Sequence, residues 1–428
     1  QGVSSAASDV YKRQIIGSGI SGLGIAYLLS PYHNIKIYEK NDYIGGHSRT
    51  IDVATPQGEI AVDTGFIVFN NRNYPLLTSL FMHLNVAIEK SNMSFGASIK
   101  NGWLEYGTKN LHNIFVQQSN ILNPNFFNMV KDILKFNRKA HYYLEADHCL
   151  TLGQCLEELK LGKWFQKYYL LAMGGAIWST PISAMLEFPA RTFIRFFDNH
   201  GLLTINAHPQ WYTVKNGSRE YVKRITEKFR GSIMVECGAG KILRDKEGVK
   251  IYDNKGNLSH YDAVIFACHA DQALRLIENP TDNEHAVLSN FRYQSNRMIL
   301  HSDTNFMPKR KGAWASWVYL SENEEGIDSH MSLSYWMNNL QSLKTDIPII
   351  ATLNPFKEPR KETIYDEYWF DHPVFDVAAI KAQERIEDIQ GKDRFWFCGA
   401  YQRYGFHEDG LLSAVKVAEK MGVKASWL

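Results

Sequence analysis

The sequence predicts an α/β protein with more than one domain, and two observations carry that prediction. Ile15–Thr50 has the pattern of a strand, a glycine-rich turn, a helix and a second strand, which is the βαβ unit that binds dinucleotides. In addition, 428 residues are more than one hydrophobic core normally holds, and beyond this unit the pattern changes to helical, aromatic-rich stretches.

Each glycine of the turn has a physical task. Gly17 permits a tight turn, Gly19 lets backbone amides approach a diphosphate, and Gly22 lets the helix pack closely on the sheet. The helix N-terminus adds partial positive charge at the same place. The residues expected at the phosphates are Gly17, Ser18, Gly19, Ile20, Ser21 and Gly22.

An acidic residue follows the second strand. Glu39 comes directly after Ile35–Tyr38, 17 positions beyond Gly22, where it can accept hydrogen bonds from the hydroxyls of an adenosine ribose, with Lys40 beside it. A purely structural βαβ unit can carry the same glycines. The acid at this spacing is therefore what favours a nucleotide.

Composition narrows the class of protein. A content of 45% hydrophobic and 21% charged residues is ordinary for a soluble globular chain, and a net charge of +2 gives no electrostatic case for nucleic acid. No apolar run approaches the roughly 18–20 residues that span a bilayer. An aromatic content of 13% leaves a peripheral contact at the inner membrane face open. The odd number of cysteines, with no C-x-x-C, indicates reduced thiols in the cytoplasm and no metal site: Cys149, Cys155, Cys237, Cys268 and Cys398.

The first fourteen residues do not fit the fold. A buried parallel strand normally brings about five apolar residues to the glycine turn, whereas only Ile15 and Ile16 do so here. We therefore expect residues 1–14 to be a non-native leader and the first strand to be short, which would weaken nucleotide binding. The alternative is a genuine strand that starts near Val10 with its charges at the sheet edge.

A second glycine pair makes the cofactor more specific. Gly45 and Gly46 follow Glu39, with His47 next, and the run E-x(5)-G-G-x-x-x-T resembles the FAD-binding signature of the amine oxidase, phytoene desaturase and protoporphyrinogen oxidase superfamily. Bare amides at this pair can lie beside a second phosphate and the ribityl chain. A dehydrogenase that binds only nicotinamide has no use for them, although a surface hairpin is the other interpretation. The resemblance implies FAD, and we expect it to be bound non-covalently because Cys398 lies inside a strand before Gly399.

The end of the chain matches the same superfamily. A strand that closes on Gly399 and the run GFHEDGLL resemble its F-x-G and G-x-x-(D/E)-G elements. The resemblance implies a helix whose N-terminus stabilises negative charge on the flavin N1–O2 edge. It also implies Ala239 near the adenine, and contacts to the flavin part from Gly399, Asp409, Gly410 and Leu411. Ala400 stands where many relatives have an acid, so the contact of that acid is either supplied by Asp409 or lost.

The resemblance also implies the domain organisation. It predicts a Rossmann-like FAD-binding domain of the two-dinucleotide-binding type, with an inserted α+β substrate domain. The predicted segments are 15–75, 205–285 and 385–428 for the FAD-binding domain, and 76–204 and 286–384 for the substrate domain.

Catalytic residues are harder to assign. Many amine oxidases have Y-x-x-x-K where this chain has Tyr293 followed by Arg297, and arginine is always charged and cannot act as a tunable base. The catalytic candidates nearest this motif are Arg297, His301 and Trp317. Trp317 could form a wall of the substrate site or simply fill the core. The candidates for a general base are His47, His269, His301 and His407.

One likeness narrows the expected function. FIVFNNRNYPLL, GAIWSTP, NHGLL, PQW, MILHSD, AWASW and GFHEDGLLSA resemble a bacterial subfamily of amine-oxidase-like proteins, related to a domain fused to some plant cyclopropane-fatty-acid synthases. We therefore expect an FAD-dependent oxidoreductase that takes a hydride from a carbon of an apolar, lipid-derived substrate. The alternatives are an amine or polyamine oxidase, and a flavin-binding partner of a lipid methyltransferase without its own turnover. A sugar-mutase-like flavoprotein is disfavoured because no nucleotide-sugar basic cluster is recognisable.

Overall fold

The computed structural model describes residues 11–145, 150–178, 185–199, 202–203, 209–322 and 332–428. The fold is α/β, as the sequence predicts. Five sheets hold the chain together, and the two largest decide where the candidate site lies.

The central sheet of the nucleotide-binding part is parallel and combines segments from distant parts of the chain. Its order is β10-β2-β1-β14-β20, and every pairing is parallel. The strands are β1 (Lys12–Ile16), β2 (Asn34–Tyr38), β10 (Ile233–Met234), β14 (Ala263–Phe266) and β20 (Phe395–Phe397). Helices α1 (Ile20–Leu29) and α15 (His407–Lys420) pack together in one apolar core on this sheet.

The first strand is longer than expected. Lys12–Ile16 pairs along its length with β2 and also with β14, so the expectation that only Ile15 and Ile16 feed the glycine turn is wrong. Two neighbouring strands supply backbone partners whatever the side chains are, and this draws polar residues into the sheet. Gln14 is fully buried, and its Oε1 atom has no hydrogen-bond partner, nor has Nε of Arg13. Residues 1–10 lie outside the described part of the chain.

Seven strands form the second large sheet, in the order β19-β15-β18-β17-β16-β7-β8. They are β7 (Phe95–Ile99), β8 (Leu104–Gly107), β15 (Arg292–His301), β16 (Trp317–Ser321), β17 (Ser332–Trp336), β18 (Ile350–Leu353) and β19 (Ile364–Val374). Successive side chains point to opposite faces of such a sheet. One face packs with the helices of residues 111–199 into the largest apolar cluster, and we call this the inner face.

Three smaller sheets complete the strand structure. They contain β3 (Thr50–Thr55) and β4 (Gly58–Asp63); β5 (Phe69–Asn70), β6 (Ile88–Ser91) and β9 (Trp211–Val214); and β11 (Ala239–Arg244), β12 (Val249–Asp253) and β13 (Leu258–Tyr261). The other helices are α2 (Pro75–His83), α3 (Leu111–Ile114), α4 (Pro124–Lys139), α5 (Tyr142–Glu145), α6 (Leu152–Glu158), α7 (Lys163–Phe165), α8 (Leu171–Trp178), α9 (Ala190–Asn199), α10 (Arg219–Thr226), α11 (Ala270–Leu276), α12 (Asp282–Leu288), α13 (Met337–Leu340) and α14 (Val377–Glu384). None of the helices in the described ranges is long and apolar enough to cross a bilayer.

Helix α2 packs with the nucleotide-binding core, beyond the boundary predicted at residue 75. Leu77, Leu80 and Phe81 are buried in the same cluster as α1 and α15. The carboxylate of Glu408, in the first turn of α15, accepts the backbone N–H groups of Leu76 and Leu77 at 2.9 and 3.0 Å. This carboxylate caps α2 and fixes it beside α15, a contact between distant parts of the chain that local pattern does not reveal.

Candidate functional site

The glycine turn brings backbone very close to backbone. Gly17 has φ +101°, and a Cβ there would lie 2.9 Å from the carbonyl oxygen of Ala267. A Cβ on Gly22 would lie 2.0 Å from the carbonyl oxygen of Gly17, a distance no side chain tolerates. A Cβ on Gly19, by contrast, would meet no described atom within 4 Å. The turn is therefore closed toward the sheet and open in front of α1.

The open side faces the N-terminus of α1. Gly19 is the N-cap, and no side chain in the described structure caps this helix. Its first-turn amides therefore keep their hydrogen-bonding capacity for a ligand, and the helix dipole favours an anion there. This arrangement fits a diphosphate.

Glu39 is buried at the end of β2, beside this turn. Its Oε2 atom accepts the backbone N–H and the hydroxyl of Ser18 at 3.0 and 2.6 Å, and Oε1 accepts the N–H of Asn41 at 2.9 Å. These bonds hold the carboxylate next to the glycine turn, where a ribose hydroxyl could donate to it. Cys237 donates its N–H to the Glu39 carbonyl, which places Ala239, two residues later, in the same neighbourhood. A Cβ on Gly238 would lie 3.2 Å from the Cβ of Lys40.

The second glycine pair lies directly against the first turn. Gly46 has φ +60°, and a Cβ there would lie 2.9 Å from the Cα of Gly19. Gly45 has φ +130°, and a Cβ there would lie 2.8 Å from the carbonyl oxygen of Ser48. Two motifs that are separate in sequence therefore form one backbone surface, and His47 stands at its edge.

A second helix N-terminus meets α1 at the same place. A Cβ on Gly410 would lie 2.8 Å from both Cγ2 of Ile20 and Oγ of Ser21, and a Cβ on Gly24 would lie 2.9 Å from Cδ1 of Leu411. Glycines at these crossing points let α1 and α15 touch near their N-terminal ends. Two positive helix ends therefore converge on one region, which favours a ligand that carries negative charge at more than one point.

Asp409 is used inside its own helix turn. Its carboxylate accepts the backbone N–H groups of Tyr404 and Phe406 at 3.2 and 3.0 Å, and burial raises its pKa to about 6. Many relatives have an acid at the position of Ala400. Asp409 could replace that acid only with a carboxylate that already accepts these two hydrogen bonds. Gly399 donates its N–H to Oγ of Ser413 at 2.8 Å, which joins β20 to α15.

Asp63 begins the D-x-G segment Asp63–Gly65 and connects the two parts of the molecule. The fully buried carboxylate accepts the hydroxyls of Thr50 and Ser218 at 2.6 and 2.8 Å and the amide of Gln341 at 2.9 Å. Burial raises its pKa to about 6. This network indicates that Asp63 is a structural anchor.

Three neutral histidines lie beside the glycine pair. The ring of His47 is 6.4 Å from that of His269 and 5.5 Å from that of His372, between centroids. Burial lowers the pKa of His47 to about 4 and the pKa values of His269 and His372 to about 3. His269 also stacks on Tyr293 at 4.3 Å. At neutral pH the group offers hydrogen bonds without charge.

A fourth histidine begins α15. His407 Nε2 is 2.9 Å from the hydroxyl oxygen of Ser48, and its ring stacks on Phe66 at 3.9 Å. Burial lowers its pKa to about 3. The ring is thus held in place and neutral at the helix N-terminus, where a positive charge would be unfavourable.

The strand register is against two of the three catalytic candidates. Arg297 points away from the inner face and binds Glu358 and Glu367 at 2.5 and 2.8 Å. His301 is buried on that same outer side, with Nε2 2.8 Å from the hydroxyl of Thr352. Because side chains alternate along β15, neither residue can share a face with the even-numbered positions. The register therefore does not favour Arg297 or His301 as a catalytic residue on the inner face, and their role stays a prediction.

Asn296 is a polar residue on the inner face of β15, and sequence reasoning missed it. It is fully buried, receives the Asn354 amide on Oδ1 at 2.7 Å, and lies 2.8 Å from Nδ1 of His372. The signal was present in the alternation of Asn296, Met298 and Leu300, which carries one amide in an apolar row.

Trp317 faces the inner side and stays a candidate. Its ring lies 5.2 Å from that of Tyr335 at 81°, and its indole N–H is buried without a hydrogen-bond partner. A buried donor of this kind is costly unless something accepts it. A ligand on the inner face is one such acceptor.

Two comparisons bear on this arrangement. Residues 15–84 match the NAD(P)-binding Rossmann-like domain family. Among solved structures, a CLA-producing fatty acid isomerase from P. acnes is 13% identical, with a TM-score of 0.69 over 96% of this chain and 99% of that one. Cyclohexylamine oxidase from Brevibacterium oxydans is also 13% identical, with a TM-score of 0.67 over 96% of this chain and 100% of the oxidase.

The chain therefore shares its fold with these two solved structures, as the resemblance stated from its sequence predicts. Reduced UDP-galactopyranose mutase is another structural neighbour, 15% identical with a TM-score of 0.66 over 98% of this chain and 97% of the mutase. No curated protein matches the sequence. At these identities the likeness concerns the fold, because this fold is shared by an isomerase, an oxidase and a mutase.

The residues fit the cofactor that this fold implies. The open space at Gly19, the two converging helix ends and the buried Glu39 supply a diphosphate site and a ribose site. In the described ranges, no group of three or more His, Cys, Asp or Glu side chains could hold a metal ion.

Proposed function

We propose that the protein is an FAD-binding oxidoreductase that removes a hydride from a carbon of an apolar, lipid-derived substrate. Bound non-covalently, FAD would supply the hydride acceptor. The glycine turn, Gly46 and Glu39 would hold the nucleotide, while the start of α15 would lie toward the flavin. Non-covalent binding agrees with Cys398, which is fully buried after β20 and whose thiol pKa is raised by burial.

The inner face of the seven-stranded sheet carries the proposal. Its described residues are apolar or aromatic over most of the sheet, and several are only partly buried. The residues are Phe95, Ala97, Ile99, Leu104, Tyr106, Met298, Leu300, Trp317, Tyr319, Leu333, Tyr335, Ala351, Leu353, Tyr368 and Phe370. Most of these residues pack into the protein core, and Trp317, Tyr335 and Tyr368 are the partly buried ones among them. An uncharged hydrocarbon chain beside these three rings would be favoured, because an apolar group gains free energy when it leaves water.

The charged group on this face is already paired. Asp366 stands opposite Leu300, and both of its oxygens accept N–H groups of Arg49, at 2.5 and 3.0 Å. The guanidinium also lies over the Tyr368 ring at 4.3 Å. A cationic amine would find this carboxylate neutralised. The uncharged pair of Asn296 and His372 would orient a neutral polar group, such as a carbonyl or hydroxyl, by hydrogen bonding.

The first test concerns the cofactor. We expect the purified protein to show the visible spectrum of an oxidised flavin and to release all of its colour on acid precipitation. Colourless protein that is reconstituted by NAD and not by FAD would contradict the proposal, and colour that stays with the precipitate would contradict non-covalent binding.

The second test concerns the substrate. Protein loaded with FAD is mixed anaerobically with acyl phospholipids in one experiment and with cyclohexylamine or putrescine in another. We expect the flavin absorbance to bleach with the acyl lipid. Bleaching by amines alone would reject the lipid proposal.

Amine oxidation is the second candidate, because the likeness to cyclohexylamine oxidase covers both chains almost completely. It predicts peroxide release with amines in air. If neither class of compound reduces the flavin, a pull-down with a lipid methyltransferase tests the role of a partner subunit, and a stoichiometric complex would support it.

A further inference from the structure

An exposed apolar surface lies at residues 111–134, away from the glycine turn. Leu111 is 74% and Leu122 is 88% exposed, and Ile121, Phe127 and Leu134 are also exposed. We call these five residues the apolar ridge. Single exposed leucines are ordinary in soluble proteins, but a cluster of this kind marks an interaction site.

The ridge residues are close in sequence. Leu111 begins α3, Ile121 and Leu122 lie just before Asn123, the N-cap of α4, and Phe127 lies in the first turn of α4. Phe115, just after α3, links the two helices, since its ring is 5.8 Å from that of Phe127. The chain therefore exposes five large apolar side chains within residues 111–134.

Helix α4 has two apolar stripes where a surface helix needs one. Phe126, Met129 and Phe136 are buried and account for its packing on the domain. Phe127 and Leu134, seven positions apart, lie on the opposite, exposed face. The first stripe is explained by the core, whereas the second has no role in folding and calls for a partner.

Aromatic and basic side chains border the ridge. Gln117 donates its side-chain amide to the carbonyl of Trp103 at 2.8 Å, which ties this exposed tryptophan to the ridge segment. Trp103 lies 5.4 Å from Trp164 and 5.8 Å from Tyr168 between ring centroids, and the Lys100 ammonium lies 5.6 Å above its ring. Tryptophan, tyrosine and lysine together are typical of the membrane–water interface, because each combines an apolar body with a polar end.

The charge of this segment is positive. Residues 100–139 contain six lysine or arginine residues and two acids. Both acids are used inside the protein: Glu105 is buried and bound by Arg310 at 2.8 Å, and Asp132 accepts the N–H of Gly162 at 2.7 Å. Lys131 and Arg138 stand on the exposed face of α4 with Phe127 and Leu134. Exposed cations such as Lys131 and Arg138 beside an apolar centre complement an anionic lipid surface.

We propose that the apolar ridge and its surrounding cations dock the protein onto the anionic surface of a membrane. Hydrocarbon would take up Leu111, Ile121, Leu122 and Phe127, while the cations would contact lipid headgroups. A second copy of the chain is a poorer occupant, because two such surfaces would bring their positive charges together. The proposal deepens the proposed function, on which it rests for its purpose, by giving an apolar substrate a route from the bilayer.

The test is cosedimentation of the FAD-loaded protein with vesicles of phosphatidylcholine containing phosphatidylglycerol, measured without substrate. We expect the wild type to bind these vesicles, and the variant Leu111→Asp/Leu122→Asp to bind at least about tenfold more weakly, since each leucine loses its apolar burial. Met82→Asp is the matched control. Met82 is 68% exposed on α2, a helix that packs on the nucleotide-binding core. It should bind as the wild type does.

Charge is tested separately. We expect Lys131→Glu/Arg138→Glu to lose binding to anionic vesicles, and wild-type binding to weaken at about 1 M salt, where the Debye length falls to about 3 Å. Wild type that does not bind anionic vesicles would overturn the proposal, and so would equal binding by the Leu111→Asp/Leu122→Asp variant. A concentration-dependent dimer that this variant abolishes would assign the ridge to a second copy instead.

The readouts separate the two proposals. The flavin spectrum and its bleaching by a detergent-dispersed acyl substrate should be the same in the ridge variants and the wild type, because the ridge lies outside the nucleotide site. Vesicle binding with no bleaching by any substrate would contradict the proposed function and leave membrane docking intact.

Discussion

The nucleotide site and the inner face of the seven-stranded sheet are built in different ways. At the nucleotide site, positions 17, 22 and 46 must be glycine because a Cβ would meet backbone atoms at 2.0 to 2.9 Å. On the inner face, the identity of a residue matters less than the face on which the strand register places it. Asn296 is buried toward the inner side, and its neighbour Arg297 points outward to Glu358 and Glu367.

This difference shows which kind of motif can be predicted from the sequence. A close backbone approach permits one residue type, so the requirement is visible in the sequence itself. A strand face is set by pairing with distant strands, and a shift of one residue exchanges the two faces completely. The following predictions test that difference, beginning with the largest effect.

The first prediction compares two glycines of one turn. Gly22→Ala should cost about 3 kcal/mol or more of unfolding free energy and abolish FAD retention, because the methyl group overlaps the Gly17 carbonyl oxygen. Gly19→Ala should leave the melting temperature nearly unchanged, because its methyl group points into open space. It should still weaken FAD binding, since that space is where the phosphates would lie. Thermal unfolding and bound flavin content measure the two effects, and equal destabilisation by both changes would contradict the close contact.

The second prediction compares the two faces of β15. Asn296→Ala should destabilise the protein by about 1–3 kcal/mol, because Asn354 and His372 lose a buried hydrogen-bond partner. Arg297→Ala should cost about 1 kcal/mol or less, because its two carboxylate partners are solvent-exposed. Urea unfolding measures both free energies. A larger effect at Arg297, or a change in flavin reduction there alone, would restore Arg297 as the functional residue.

Much of the nucleotide site could be predicted from sequence, and the reasons are local. Gly17, Gly22, Glu39 and Gly46 lie where the motif spacing suggests, because turn geometry and strand ends determine their neighbours. The part that could not be predicted depends on long-range contacts. The capping of α2 by Glu408 joins positions more than 300 residues apart, and no local pattern contains that information.

The catalytic candidates show the same limit. The Y-x-x-x-R pattern suggested that Arg297 replaces a lysine, but the pairing of β15 with β19 and β18 gives the inner face to Asn296. His372 was missed because its place in the site depends on its contact with His47, which lies 325 positions earlier in the sequence. A single sequence does not show that two such distant residues lie close together in space.

The third prediction concerns the first strand, where sequence reasoning identified unsuitable residues and still misjudged the structure. Gln14 is buried between two parallel strands with an unpartnered Oε1 atom. Gln14→Leu should therefore raise the unfolding free energy by about 1–2 kcal/mol, because a buried acceptor without a donor is removed. Gln118→Leu, on an exposed turn, is the control and should change stability by no more than about 0.5 kcal/mol. No gain from Gln14→Leu in chemical unfolding would mean that the amide is satisfied.

The last prediction is a pH dependence at the nucleotide site. Burial holds the pKa of His407 at about 3, below its ordinary value, so on acidification the unfolded chain takes up a proton that the folded chain refuses. The contribution of His407 to stability is therefore present above about pH 6.5 and is lost as the pH falls toward 3. The adjacent carboxyls of Glu408 and Asp409 act in the opposite direction, because burial raises their pKa values to about 7 and about 6.

Subtracting a variant isolates the histidine from these carboxyls. His407→Gln keeps a neutral polar side chain beside Ser48, so the difference in unfolding free energy between wild type and variant reports mainly the missing titration. We expect the wild type to lose stability relative to His407→Gln between pH 6.5 and 4.5, with a slope below one proton. The ring of His407 stacks on Phe66 and contacts Ser48, so it joins the D-x-G segment to the start of α15. A difference that stays constant with pH would mean that His407 remains accessible to protons, and that this helix N-terminus is open to water where we infer a closed flavin site.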